Sequence, residues 1–260
     1  MISTSQVSWE KTSTFYACAL VCRSWLDRSR LYLYKDIDIW ADRIWKFQAT
    51  LKSNPSVLLS STNRIVVSGT PISALFAMSR FEELKYLEIM GLNLTNEHSV
   101  ITRGPLARSV TRLQLRCLFS CTVSTLLRFL NSFKCLIDLS IRHVRDAHLK
   151  HNGQSIPMLP PKKSRSLEYL RFSVVPGISK LIEWYIHKGF FLASLKTLFF
   201  DWELHSPPEK DAIHCMLSLL DHCTNTLEDL TLWINLKQSS SPDEISKISM
   251  FWCLHPWDLV

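Results

Sequence analysis

LKYLEI, residues 84–89, places an aliphatic residue, two others, a leucine, one other and a second aliphatic in order, and the chain keeps repeating that grammar. It returns as VTRLQL (110–115), LIDLSI (136–141), LEYLRF (167–172), LKTLFF (195–200) and LEDLTL (227–232). The fourth position is leucine every time: Leu87, Leu113, Leu139, Leu170, Leu198 and Leu230, spaced 26, 26, 31, 28 and 32 residues apart. A weaker copy precedes them at Ile65 and Val67. Alternation of apolar and polar residues inside each copy predicts a short strand with one buried face.

Several of the intervening stretches predict helices. TVSTLLRFLNSF (122–133) sets Leu126, Leu130 and Phe133 on one face, and ISKLIEWYI (178–186) aligns Ile178, Leu181, Ile182 and Tyr185. SPPEKDAIHCMLSLLDHC (206–223) opens with Ser206 as N-cap, Pro207 and Glu209, and its expected stripe is Ile213, Met216, Leu217 and Leu220. SPDEISKI carries the same capping pattern with Ser241, Pro242 and Glu244. Strand and helix alternating at a period of ~20–30 residues is the signature of a leucine-rich-repeat solenoid, in which each unit completes the core of its neighbours. A doubly wound α/β sheet also alternates strand and helix, but its strands read as continuous apolar runs. Here polar residues interleave, and there is no glycine-rich phosphate loop among only six glycines.

The repeats are irregular. The usual unit places Asn or Cys three residues after its last strand residue, where the side chain bonds turn backbone; only Asn235 fits, against Leu92, Leu118, Val144, Val175 and Glu203. The stretch 146–166, with its Asn-Gly and Pro-Pro pairs, reads as a loop. The polar strand residues Tyr86, Glu88, Arg112, Gln114, Asp138, Tyr169, Arg171, Lys196 and Asp229 are the candidates for a concave binding face.

Ahead of the repeats, FYACALVCRSWL (15–26) predicts a helix that is apolar nearly all round, with Phe15, Cys18, Ala19, Cys22, Trp25 and Leu26 on one broad face. Such a helix must be contacted from more than one direction. YKDIDIW (34–40) then alternates into a strand with Ile37 and Ile39 inward. Residues 16–39 resemble the second half of an F-box, in the version common in fungal F-box proteins with irregular leucine-rich repeats. Leu20 to Trp25, the Arg28/Arg30 pair and Leu33 to Ile37 carry that resemblance, and 47–69 is similar to the family's lead-in to the repeats.

The resemblance implies an irregular N-terminus (1–14), a partial helical F-box (15–40) and an irregular leucine-rich-repeat solenoid (41–260). It implies a substrate-recognition adaptor of a Skp–cullin–RING ubiquitin ligase. Leu20, Val21, Arg23, Trp25 and Leu26 would contact the Skp-type adaptor, and the repeats would hold the protein substrate. The family's module opens further upstream, with a Leu-Pro and an amphipathic helix that residues 1–14 do not contain. The alternative is therefore a leucine-rich-repeat interaction scaffold that no longer binds the adaptor.

Composition narrows the remaining classes. With 47% hydrophobic and 20% charged residues the chain has globular proportions. A net charge of +7 permits an acidic partner, but its cations are scattered among 23 acids, and PPKKSR (160–165) is the densest cluster. A nucleic-acid surface concentrates its charge on one face, so no nucleic-acid partner is expected. No apolar run reaches the ~20 residues of a membrane helix, and the N-terminus lacks a secretory pattern. Eight cysteines without finger spacing suit reduced, buried thiols in an intracellular protein, cytoplasmic or nuclear, without metal or cofactor. His98, His143, His148 and His151 have no ligand spacing, and no hydrolase, phosphate-loop, zinc-protease or dinucleotide motif is present, so no enzyme activity is expected. The Trp-rich end FWCLHPWDLV (251–260) is expected to cap the solenoid.

Overall fold

The computed structural model describes residues 14, 17, 21, 23–53, 55–69, 81, 83–91, 106–118, 123–142, 167–174, 178–184, 186, 194–204, 210–236 and 249–254. The fold is α/β. Its strands are β1 (Asp36–Trp40), β2 (Arg64–Ser68), β3 (Tyr86–Met90), β4 (Arg112–Arg116), β5 (Asp138–Arg142), β6 (Tyr169–Val174), β7 (Thr197–Leu204), β8 (Asp229–Leu236) and β9 (Ser249–Leu254). They form one sheet in strict sequence order. Neighbours from β1 to β8 are parallel, and β9 lies antiparallel on β8. The helices are α1 (Arg23–Leu33), α2 (Ile44–Ser53), α3 (Pro55–Ser61), α4 (Leu106–Ser109), α5 (Val123–Ser132), α6 (Ile178–Trp184) and α7 (Lys210–Cys223), with a 3-10 turn at Ala41–Arg43. Sequential parallel order with helical returns is a solenoid-like arrangement, because each unit touches chiefly the units before and after it.

The hexapeptide grammar explains this geometry atom by atom. Its first, fourth and sixth positions point into the core: Leu84, Leu87 and Ile89 are at most 2% exposed, as are Val110, Leu113 and Leu115. Register then stacks like on like, running Ile65, Leu87, Leu113, Leu139, Leu170, Leu198 and Leu230 across the sheet. Truncating one such leucine to alanine costs roughly 2–5 kcal/mol, because its neighbours cannot collapse into the gap. The second position contributes backbone rather than side chain. The Lys85 carbonyl accepts the N–H groups of Thr111 and Arg112 at 3.0 and 2.9 Å. The carbonyls of Thr111, Ile137, Glu168 and Lys196 do the same for the unit that follows each of them. Asn63 and Lys35 hold the equivalent carbonyls one and two units before Lys85. β1 and β2 are therefore units of the same sheet, and β1 joins it although it lies before residue 41, where the repeats were expected to begin. Their first positions are Tyr34 and Thr62 instead of an aliphatic residue, and the buried Thr62 hydroxyl lies 2.8 Å from the Tyr34 carbonyl and 2.7 Å from that of Leu58.

The chain leaves three successive strands by one device. Gly69, Gly91 and Cys117 follow β2, β3 and β4 directly, with φ of 62°, 76° and 52°. Their N–H groups donate to the carbonyls of Met90, Arg116 and Arg142, each at the end of the next strand. Glycine enters that left-handed region without Cβ strain, and Cys117 is the non-glycine that shares it. Two sequence expectations about turns and helix faces need correcting. Asn235 is not a turn residue: it lies inside β8, paired with Glu203 and Ser249. On α7, Ile213 and Leu217 are 39% and 57% exposed, and the buried side is Cys215, Met216, Leu219 and Cys223. The helix is turned so that Cys215, Met216, Leu219 and Cys223, rather than Ile213 and Leu217, face the core. On α5 the expected Leu126, Leu130 and Phe133 are buried, joined by Leu127 and Phe129. Tyr185, Ser206, Pro207, Glu209, the 146–166 stretch and the 241–244 capping pattern lie outside the described residues. Residues 251–254 belong to β9, which covers the free edge of β8.

Candidate functional site

The helices cover one face of the sheet, and the other face carries polar side chains in rows set by the register. The third position of each unit supplies one row: Asp36, Arg64, Tyr86, Arg112, Asp138, Tyr169, Thr197 and Asp229. The fifth supplies another, which includes Asp38, Glu88, Gln114, Ser140, Arg171, Phe199 and Thr231. One residue past the motif comes a partial third row with Arg116, Arg142, Asp201 and Trp233. Eight of the nine residues expected on this face stand in the first two rows. Lys196 does not: it precedes β7, and its Nζ pairs with Glu168 Oε2 at 3.2 Å near the sheet's rim. Thr197 occupies the place Lys196 was expected to fill.

Tyr86, Arg112, Gln114, Asp138, Tyr169 and Arg171 come together around a pocket of about 180 Å³, with Ser140 and the backbone side of Leu113 completing its wall. Glu88 sits beside the pocket rather than in it. Only 6% of its side chain is exposed, and it takes ion pairs from Arg116 at 3.0 Å and Arg64 at 3.8 Å. The single phenolic proton of Tyr86 goes to Glu88 Oε2 at 2.9 Å. The Gln114 amide nitrogen therefore donates to the Tyr86 oxygen at 2.6 Å, and the Gln114 carbonyl accepts from Arg116 Nε and Nη2 at 2.8 Å. Arg64 also lies 5.2 Å from the Tyr86 ring centre. Burial, and then the charge and hydrogen bond of Glu88, push the Tyr86 phenol up to about 12. It is a neutral donor over the ordinary pH range.

A second buried carboxylate lies four strands further on, in β7. Asp201 is fully buried and pairs with Arg171 at 3.2 Å and Arg142 at 3.7 Å. Arg171 lies flat over Phe199, 3.8 Å from its ring centre. Around them the buried Ser140 Oγ, Arg142 Nε, Arg171 Nε, Asp201 Oδ1 and Trp233 Nε1 make no hydrogen bond. Burial, then the charges of Arg171 and Arg116, lower the Arg142 pKa against the opposing pull of Asp201. On the pocket's other wall, Arg112 pairs with Asp138 at 3.9 Å, and burial raises the Asp138 carboxyl despite that guanidinium. Asp38, Arg64, Arg116, Ser140, Arg142, Asp201 and Trp233 were missed from sequence. Those past the motif's sixth residue continue the alternation that had already placed the others.

The N-terminal candidates are differently placed. Val21 is 72% and Trp25 53% exposed, and Leu26 is half-buried. Arg23 opens α1, whereas Leu20, Phe15, Cys18, Ala19 and Cys22 lie outside the described residues, as do the Arg23 side chain and His98, His143, His148 and His151. Contact from several directions was expected for this helix. Among the described residues of that stretch Val21 and Trp25 are exposed, as are Leu31 and Tyr32 further along α1 and Trp40 and Trp45 beyond it. No group of three metal-ligating side chains occurs among the described residues, and no described helix is long and apolar enough to cross a membrane. No protein-family profile, curated protein or solved structure matches the chain.

Proposed function

We propose that this chain is a non-catalytic substrate receptor of the F-box kind, built on an irregular leucine-rich-repeat solenoid. Its N-terminal helical segment docks a Skp-type adaptor of a cullin–RING ubiquitin ligase, and the polar face of its sheet holds the protein to be ubiquitylated. The carrying observation is the exposure of Val21 and Trp25 within the stretch that resembles an F-box. Large apolar side chains left in water beside a well-buried core mark a surface that meets a partner. Holding a substrate near a charged conjugating enzyme raises its effective concentration, so the polypeptide itself need make or break no bond.

The test is co-purification of the full chain with a Skp-type adaptor, alongside Val21→Ala/Trp25→Ala. Both side chains are exposed, so the double variant keeps its fold while losing anchors of the kind that dominate interfaces. Recovery of the adaptor with the wild type and its loss with the variant supports the reading. Absence of the adaptor from both contradicts it. The second reading, an interaction scaffold without adaptor contact, rests on the ordered polar face, which owes nothing to residues 15–33.

A further inference from the structure

We infer that the unsatisfied cluster around Asp201 is a receptor site for a single carboxylate of the bound protein, seated between Ser140, Arg142 and Arg171 at the edge of the pocket. The inference rests on the reading of this face as a protein-binding surface, and it names what that surface recognises.

Three observations converge. First, buried donors make no hydrogen bond: Ser140 Oγ and Arg171 Nε have no hydrogen-bond partner, and Arg142 Nε stands 3.7 Å from Asp201 Oδ2, too far for one, although a buried donor left alone is costly and rare. Ser140 and Arg171 are register partners on β5 and β6, and Arg142 lies two residues along β5 from Ser140, so the three belong to one patch. Secondly, Arg171 is held in place before any ligand arrives, by the Phe199 ring beneath it and by Asp201. A guanidinium already fixed loses little freedom on binding. Thirdly, the charge count selects the ligand. Arg142 and Arg171 share the single carboxylate of Asp201, which leaves one positive charge unbalanced within that cluster. A monoanion neutralises it. A phosphate dianion would overshoot and stand close to two carboxylates. The pocket of about 180 Å³ alongside offers Tyr169 and Tyr86 as walls for the side chain or backbone that carries the carboxylate.

A carboxylate can come from an acidic side chain or from a chain terminus, and one experiment separates them. The arginine Nε–Hε signals of the full chain are followed by NMR during titration with N-acetylglutamate N-methylamide, N-acetylglutamine, the uncharged N-acetylglutamine N-methylamide, and inorganic phosphate. The first probe carries only a side-chain carboxylate and the second only a terminal one. We expect saturable shifts at Arg142 and Arg171 with at least one carboxylate, no saturable shift with the uncharged probe, and an unmoved Arg116. The carboxylate that saturates at lower concentration identifies the source. Ser140→Ala leaves the Arg–Asp pairing untouched, and should weaken the preferred probe roughly two- to tenfold, the range one hydrogen bond carries. The inference is overturned by the absence of a saturable shift, by phosphate saturating below both carboxylates, or by an unchanged affinity in Ser140→Ala. Adaptor co-purification is a separate readout: an adaptor that binds while the arginine signals stay still removes this inference alone.

Discussion

Two buried carboxylates on the same face of the sheet, Glu88 and Asp201, have been given the same neighbours and opposite accounts. Each pairs with two arginines: Glu88 with Arg64 and Arg116 on the strands at either side of it, Asp201 with Arg171 on the adjacent β6 and Arg142 on β5 beyond it. Around Glu88 the bonds close into a ring through Tyr86, Gln114 and Arg116. Around Asp201 five polar atoms remain without partners. Burial alone therefore does not say what a charge is for. A closed network fixes the strands that carry it, whereas an open one leaves polar groups free to meet a ligand.

The comparison is broken most easily at its closed end. Glu88→Ala leaves Arg64, Arg116 and Tyr86 facing an empty site, and removing one partner of a buried pair costs about 3–5 kcal/mol. Partial exposure of both arginines places the expected loss at the lower end of that range. Urea unfolding of the variant measures it, and a loss below about 1 kcal/mol would show that the ring contributes no more than a surface pair.

Tyr86→Phe removes one proton donor from the ring and should cost about 1 kcal/mol at neutral pH. It should also change the alkaline limb of the stability curve. The folded-state pKa of Tyr86 is raised from 10.0 to about 12, so its stabilising contribution is complete below pH 10 and disappears as pH climbs through 12. The wild type loses that component across this window, and Tyr86→Phe does not. Unfolding free energy recorded from pH 9 to 12 for both proteins sees the difference. The smallest effect belongs to the open end. The Ser140 hydroxyl bonds to nothing, so Ser140→Ala should leave stability within about 0.5 kcal/mol of wild type, or raise it. A loss comparable to that of Tyr86→Phe would mean the hydroxyl is already satisfied in the folded chain.

Much of the architecture was legible because one residue type recurs at one place in each unit. Leu87 through Leu230 mark strands whose backbone pairing follows from stacking those leucines in register. Legibility faded where a polar residue does an aliphatic residue's work. The Thr62 hydroxyl lies within hydrogen-bond distance of two backbone carbonyls, and Tyr34 holds the corresponding place before β1, so the first two units carry only the weaker signature of Ile37 and Ile39 and of Ile65 and Val67. The face of α7 was misjudged for a related reason. Of the expected stripe, Met216 is buried and Leu220 packs against the core, whereas Ile213 and Leu217 are exposed and Cys215, Leu219 and Cys223 complete the inner side, Cys being among the most often buried types. Burial pushes the Cys223 thiol up to about 11, which keeps it neutral and consistent with that place in the core.

The binding face was readable up to the motif's last residue and no further. Alternation placed Tyr86, Glu88, Arg112, Gln114, Asp138, Tyr169, Arg171 and Asp229 in two rows. It was not carried one step on, to Arg116, Arg142 and Asp201, where the buried charges are completed. Nor could a single strand's pattern reveal which charges share a partner, since Glu88 and Asp201 take their arginines from other strands, far away in sequence. Pairing across the sheet is a property of register, and register is set by the core on the opposite side.

The most direct test of the contrast between the two ends is the solvent exchange of arginine Nε–H protons in the free protein, measured by NMR at one pH. Arg116 donates its Nε–H to Glu88 and Gln114, so its proton should exchange slowly. The Nε–H groups of Arg142 and Arg171 have no acceptor within hydrogen-bond distance, and should exchange markedly faster despite deeper burial of their side chains. Slow exchange at Arg116 with fast exchange at the other two is the result predicted here. Equal protection at all three would mean that Asp201 already closes its own ring, and the open end of the face would not exist.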